Sequence, residues 1–310
     1  MSRPLLAIVG PTCVGKTALG IDVARRVGAA ELINADSRQC RSGTRVATFA
    51  PTAEELRGVP CHLLGIVPPG APFTVADWLE QAQLVLADMA TRHVLPIVVG
   101  GSGLYVRSLL DGFDFGSAPP DAAAREQRNA LAASEDGRRL LVEELLRHDP
   151  DTDIDTRNTR RVIRALEILD HHPEGAAHMR RSTPMRDAIV VGLDVSPETH
   201  RRWVVARVRD IFCSGALGEE IESLLAEGVP VEAIAGSGIG YVEGLRLMRG
   251  ELDIGAAIAE TVRRTLRYAK SQRTWFRADA RVRWMLADET PREDLVTRVA
   301  GLLDCKATAR

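Results

Sequence analysis

The chain has 310 residues, 45% of them apolar and 4% aromatic, and a formal net charge of −2. That apolar content excludes a disordered chain, and the length exceeds the roughly 250–300 residues at which one core stops growing, so a large α/β domain with a smaller appended one is expected. A near-neutral total excludes a uniformly basic surface, and an anionic polymer would have to be met by local cationic faces. Arg157, Arg160, Arg161 and Arg164 form one such cluster and Arg263 to Arg283 another, although charge alone fits a solvated helix face equally well.

The first residues run from one arginine through a short apolar stretch into a glycine loop, without a cleavage site or a span long enough for a bilayer; a cytoplasmic protein with no membrane partner is the expectation. Leu5–Val9 reads as a strand and Lys16–Val27 as the helix after the loop. Glu31–Ala35 and Leu95–Val99 are further strands, each running into polar or glycine residues, and Thr74 to Arg92 between them is helical with Thr74 as N-cap. Gly116-Ser-Ala-Pro-Pro120 is a turn-rich break. The charged stretch that follows carries helices at Asn129 to Arg147 and Asn158 to Leu169, an inserted helical domain over residues 118–186 that divides a core of 1–117 and 187–310. Asp187–Asp194 returns as a strand, and helices follow at Pro197–Phe212, Leu217–Glu227, Tyr241–Arg249 and Ile254–Lys270. The fold class is therefore α/β: a P-loop NTPase-like parallel sheet flanked by helices, with ligands at the carboxyl ends of the strands.

Gly10-Pro-Thr-Cys-Val-Gly-Lys-Thr17 matches the full G-x-x-x-x-G-K-[ST] pattern between a strand and a helix, the context that makes it a phosphate loop. Gly10 and Gly15 let the backbone of Pro11, Thr12, Cys13 and Val14 curl so that N–H groups point at an anion. Lys16 adds a point charge, and the Thr17 hydroxyl is the candidate ligand for Mg²⁺. Asp36 and Ser37 follow the second strand, where a carboxylate could hold a metal through water, act as a general base, or simply cap the next segment. Gly100-Gly-Ser-Gly-Leu-Tyr105 would let Ser102 approach a phosphate, or cap a helix.

Other patterns fail. The dinucleotide glycine motif lacks its spacing, Asp149–Asp155 lacks the glycine and twelfth-position acid of a calcium loop, and the five scattered cysteines and His171-His172 have no metal spacing. Thr265–Arg277 interleaves cations with Tyr268, Trp275 and Phe276, a composition suited to RNA or to an amphipathic helix with aromatics in the core.

The phosphate loop, Asp36-Ser-Arg-Gln39, Pro51–Glu55, Phe73–Asp77, Gly100–Tyr105, Arg160–Glu167, Gly238–Tyr241 and Tyr268–Arg277 together, in that order over nearly the whole chain, resemble bacterial tRNA dimethylallyltransferases. The resemblance implies that the loop holds the diphosphate of dimethylallyl diphosphate and that the acceptor is N6 of the adenosine beside the anticodon. It implies Lys16, Ser102 and Arg207 on the leaving group with Thr17 and Mg²⁺, and Asp36 as base. It implies contacts to the tRNA anticodon stem-loop from Asp36, Ser37, Arg38, Gln39 and Ser102. Further contacts would come from Arg125, Arg160, Arg161 and Arg164 in the insert, from Gly240 and Tyr241, and from Lys270, Gln272, Arg273, Trp275 and Arg277. A monomer is the family expectation, and the target base must be flipped from its stack.

Departures from the family pattern gather near the substrate. Arg38 and Arg41 stand at apolar or aromatic positions; Arg45, Ala47 and Ala50 replace Asp, Gly and Lys; Cys61 replaces one of a His pair; and Trp203 replaces an Arg. Rival readings are an adenylate isopentenyltransferase whose extra arginines bind an acceptor phosphate, a P-loop kinase of a small metabolite, and an RNA-binding relative without catalysis.

Overall fold

The computed structural model describes residues 4–112, 121–152, 154–171 and 187–308. It divides into two compact units, Met1–Leu110 with Arg186–Arg310, and Asp111–Met185. The turn-rich break at 116–120, Asp153 and His172 lie outside the described residues.

The larger unit opens with β1 (Leu5–Val9), the phosphate loop and α1 (Lys16–Val27), then β2 (Ala30–Asn34), the short α2 (Ala53–Leu56) and β3 (Cys61–His62). Next come α3 (Val75–Thr91), β4 (Leu95–Val99) and α4 (Gly103–Asp111). Thr74 caps α3 as its sequence predicts, its hydroxyl accepting the Asp77 N–H while the Asp77 carboxylate takes the Thr74 N–H.

In the second unit Asp121 caps α5 (Ala122–Leu131), followed by α6 (Glu135–His148) and α7 (Thr159–His171). The single helix expected from 129 to 147 is two. Ser134 accepts the Gly137 N–H and restarts the helix, and a Cβ on Gly137 would fall 1.8 Å from the Leu131 carbonyl that ends the first. Leu141, Leu145, Val162, Ile163, Leu166 and Leu169 form the core of this unit.

The chain then re-enters the larger unit through β5 (Ala188–Asp194), α8 (Pro197–Cys213), α9 (Ala216–Ala226), α10 (Val231–Gly236) and α11 (Tyr241–Met248). It ends with α12 (Ile254–Arg277), β6 (Val282–Leu286) and α13 (Arg292–Thr308). Helix α12 continues past Lys270, where the sequence pattern predicts its end, and β6 and α13 lie beyond the elements that the pattern predicts. The described strands form one parallel sheet in the order β3-β2-β4-β1-β5-β6. β1 and β4 are buried throughout, which is why they read as unbroken apolar runs. Leu6, Ile8, Leu32, Ile97 and Val191 pack with Leu19 and Val23 of α1 and Leu295 and Val299 of α13 in one core, while α8, α9, α11 and α12 share another around Val204, Phe212, Ile221 and Tyr241. The ends of β1, β2, β4 and β5 are thereby held as a fixed rim.

Candidate active site

On that rim the phosphate loop adopts a shape that few residues allow. Gly10 has φ +135°, and a Cβ there would lie 2.2 Å from the Leu193 carbonyl oxygen of β5; Gly15 has φ +86°. Lys16 folds over the loop and donates from Nζ to the Pro11 carbonyl at 2.6 Å. Burial pushes its ammonium down to about 8, partly opposed by the Asp36 carboxylate and then by Cys13. Val14 is 1% exposed and belongs to the core, so of the loop residues it contributes shape rather than contact.

The ends of β2 and β4 are laced together beside this loop. The Ser37 N–H donates to Ser102 Oγ at 2.9 Å, the Ser102 N–H to the Ala35 carbonyl at 3.1 Å, and a Cβ on Gly100 would sit 2.1 Å from that same carbonyl oxygen. Asp36 is only half-buried, and one of its carboxylate oxygens accepts the Arg38 N–H at 2.9 Å. Asn34 takes the Asp36 N–H and returns its amide to the Asp36 carbonyl, both at 3.2 Å, which fixes the backbone under the carboxylate.

Helix α12 locks both loops from one side. Gln272, 4% exposed, accepts the Thr12 N–H at 2.8 Å and donates to the Gly101 carbonyl at 2.9 Å. The Thr12 carbonyl is held by His200 Nε2 at 2.9 Å, and His200 Nδ1 faces an Arg273 N–H at 3.0 Å. A guanidinium only donates, so Nδ1 accepts and Nε2 carries the proton to Thr12. Burial, with the Arg273 charge adding to it, keeps His200 below its ordinary range and so neutral. Arg273 is in turn anchored on Asp194 at the end of β5, its Nε 2.9 Å from both carboxylate oxygens. The Trp275 indole lies on the start of α4, where a Cβ on Gly103 would approach it to 2.1 Å.

A cavity of about 560 Å³ opens in front of the loop. Cys13, Lys16, Thr17, Asp36, Gln39 and Arg207 reach it, together with Phe49 and Trp203, and Arg207 Cζ stands 5.3 Å from the centroid of the Phe49 ring. The structure thus brings Lys16, Thr17, Asp36 and Arg207 to one space. Ser102 is not on its wall; its hydroxyl accepts the Ser37 N–H instead.

The residues assigned to RNA by resemblance divide into two groups. Arg160 and Arg161 on α7 and Lys270, Trp275 and Arg277 on α12 are exposed. Arg125 pairs bidentately with Glu167, both contacts at 2.6 Å, and Arg164 reaches the same carboxylate at 3.0 Å. Glu167 is 1% exposed, and the two arginines are what keep its carboxyl below the usual range against the effect of burial. Gln39 donates to the Thr48 and Phe49 carbonyls at 3.0 and 3.2 Å, and the exposed Arg38 to the Gly236 carbonyl at 2.7 Å. Gly240 gives its N–H to Glu243. Tyr241 is fully buried with its hydroxyl donated to Glu220 at 2.6 Å; with Gln272 and Arg273 it faces inward, contrary to an RNA-facing placement, because each satisfies a buried polar partner. Sequence reasoning missed His200, Asp194, Glu220 and Phe49. Asp194 at a strand's carboxyl end was the one with a readable signal.

Among the described residues no group of three or more His, Cys, Asp or Glu side chains could hold a metal, and no helix is long and apolar enough to cross a membrane.

The chain is similar to known proteins along nearly its whole length. The model of the family described as IPP transferase matches residues 39–279, and that described as Isopentenyl transferase matches residues 4–64. A tRNA dimethylallyltransferase of Pelotomaculum thermopropionicum is 34% identical over 99% of this chain and 95% of its own length, and one of Shouchella clausii is 38% identical over 93% and 92%. The crystal structure of the full-length tRNA isopentenylpyrophosphate transferase of Bacillus halodurans superposes with a TM-score of 0.72 at 32% identity, covering 99% of both chains. With a family model spanning most of its length and relatives matched nearly end to end, the chain belongs to the IPP transferase family.

Proposed function

We propose that the protein transfers the dimethylallyl group of dimethylallyl diphosphate to N6 of the adenosine beside the anticodon, position 37, in transfer RNA. The carrying observation is the convergence of Lys16, Thr17, Asp36 and Arg207 on one cavity, in a chain whose relatives are named tRNA dimethylallyltransferases. The N6–C1 bond forms as the C1–O bond breaks, the N6 proton passes to Asp36, and diphosphate departs. An exocyclic adenine amine is a poor nucleophile, so alignment and leaving-group stabilisation carry much of the barrier reduction. Lys16 and Arg207 meet the charge growing on the diphosphate, and Asp36, held on one oxygen by the Arg38 N–H, keeps the other for the proton. Ser102 acts at one remove by fixing Ser37.

Mg²⁺ fits this donor set as a diphosphate-bound ion. Thr17 lines the cavity, and among the described residues no acidic cluster stands ready for a metal, so most ligands would come from phosphate oxygens and water, as this cation favours. When bound it supplies further charge neutralisation. The exposed Arg160 and Arg161 of the smaller unit and, separately, the exposed Lys270 and Arg277 of α12 offer contacts to the RNA backbone, and Trp275 on α12 offers a ring for an unstacked base. The smaller unit is the RNA-binding insert, and the enzyme works as a cytoplasmic monomer.

The adenylate reading offered Arg38 and Arg41 as groups that could bind an acceptor phosphate. Arg38 instead donates to the Gly236 carbonyl, and Arg41 to the carbonyls of Pro68 and Ala71. The test is incubation with labelled dimethylallyl diphosphate and Mg²⁺, offering unmodified anticodon stem-loops in one tube and AMP, ADP and ATP in another. Label in the stem-loop is expected; label in the nucleotides alone would overturn the acceptor assignment.

A further inference from the structure

Phe49 has a backbone φ of +56°, a left-handed conformation that a bulky residue adopts only when its surroundings impose it. The surroundings here are explicit. Glu220 accepts the Arg45 and Val46 N–H groups at 2.8 and 2.9 Å, and Gln39 donates to the Thr48 and Phe49 carbonyls. The Phe49 N–H turns back to the Val46 carbonyl at 3.3 Å. The loop is over-determined, and its outcome is an aromatic ring on the wall of the phosphate-loop cavity. On the opposite element, α8, Trp203 lies one helical turn before Arg207, so both face the same cavity. Trp203 is 38% exposed, and its indole N–H has no partner among the described residues. The Arg207 guanidinium stands over the Phe49 ring.

The partly exposed Trp203 indole and the half-buried Phe49 ring under the Arg207 guanidinium give the cavity an apolar wall beside a cation, which a ligand with both characters would cover favourably. The ligand they fit has an anionic head for Lys16 and Arg207 and an apolar tail directly attached. We propose that Phe49 and Trp203 form the subsite for the isoprenoid chain of the donor, with the Phe49 loop strained to present its ring there. Neither residue belongs to the phosphate-binding motif, and Trp203 stands where the sequence resemblance leads one to expect a cation, so this chain builds its donor wall from aromatic surface. The inference rests on the prenyl-transfer reading.

The test compares Phe49→Leu, Phe49→Ala and Trp203→Ala with the unaltered protein, measuring KM for dimethylallyl diphosphate, the inhibition constant of inorganic diphosphate and KM for the anticodon stem-loop. Loss of the buried ring contact is expected to raise the donor KM about tenfold in each alanine variant. The diphosphate inhibition constant and the stem-loop KM stay within about threefold, and Phe49→Leu, which keeps apolar bulk, falls between. A parallel rise in the diphosphate inhibition constant would mean that the aromatics merely hold Arg207. A rise in the stem-loop KM alone would mean that they stack the acceptor base. Either result overturns the proposal, as does an unchanged donor KM in both alanine variants of a protein that prenylates the stem-loop. Failure of the unaltered protein to prenylate any stem-loop would instead remove the underlying reading.

Discussion

Replacing Gln272 by methionine keeps the length and apolar stem of the side chain while removing both polar atoms from a position that is 4% exposed. The Thr12 N–H and the Gly101 carbonyl, now joined through the Gln272 amide at 2.8 and 2.9 Å, both lose their partner. A buried polar group left unmet costs about 1–3 kcal/mol. Gly101 is buried and would bear that penalty in full, whereas half-buried Thr12 can recruit water from the cavity, so the sum should be about 2–4 kcal/mol. The phosphate loop would also lose one of the two bonds that orient its Thr12 peptide, the other being to His200. Denaturant unfolding should show the lower stability, and steady-state assays a donor KM raised about tenfold, since effects of about 1.4 kcal/mol shift an equilibrium by that factor. Gln272→Glu should lower stability similarly, because one carboxylate oxygen faces the Gly101 carbonyl, but should raise the donor KM less, because the other oxygen still accepts from Thr12. The refuting result is unchanged stability and donor KM with a raised stem-loop KM, which would make Gln272 an RNA contact, as its sequence resemblance implies.

Lys16, with its ammonium at about 8 in the free protein, should make donor affinity fall by about tenfold per pH unit above that value, because the anion binds the charged form. Isothermal titration from pH 7 to pH 9.5 with inorganic diphosphate checks this, and a flat profile would refute it. The same lowered value has the opposite sign for the free protein's stability. Between about 8 and 10.5 the unfolded chain holds the extra proton, so stability should rise with pH over that window. Asp36→Asn keeps an acceptor for the Arg38 N–H but removes the base, and single-turnover rates should drop by about 10²–10⁴ with donor affinity nearly intact; an unchanged rate would exclude that role. Glu167→Gln leaves Arg125 and Arg164 without their carboxylate. Both arginines can rehydrate, so about 1–3 kcal/mol should be lost locally, seen as faster hydrogen exchange in α7.

The order of strands and helices was legible because parallel strands buried on both faces read as apolar runs, as at Leu5–Val9 and Leu95–Val99. The phosphate loop was legible because its glycines are demanded by local backbone geometry, which a short window of sequence records. Strand β6 was missed because Val282-Arg-Trp-Met-Leu286 lies at the sheet edge, half-exposed and without a clean period. The break between α5 and α6 was missed because helix-favouring residues flank a single serine, and the stop depends on Gly137 packing against Leu131.

Motif and resemblance alone were enough to name the residues that carry charge to the site, Lys16, Asp36 and Arg207, and the family to which they belong. Which side chains support them was decided only in three dimensions. Gln272 meets Thr12 across 260 residues and Arg273 meets Asp194 across 79, and in sequence the former look like part of a cationic RNA segment. Tyr241 likewise reads as an available ring until packing buries it on Glu220. The physical reason is that a motif encodes local backbone shape, whereas the satisfaction of a buried donor or acceptor is a property of whatever the fold brings beside it.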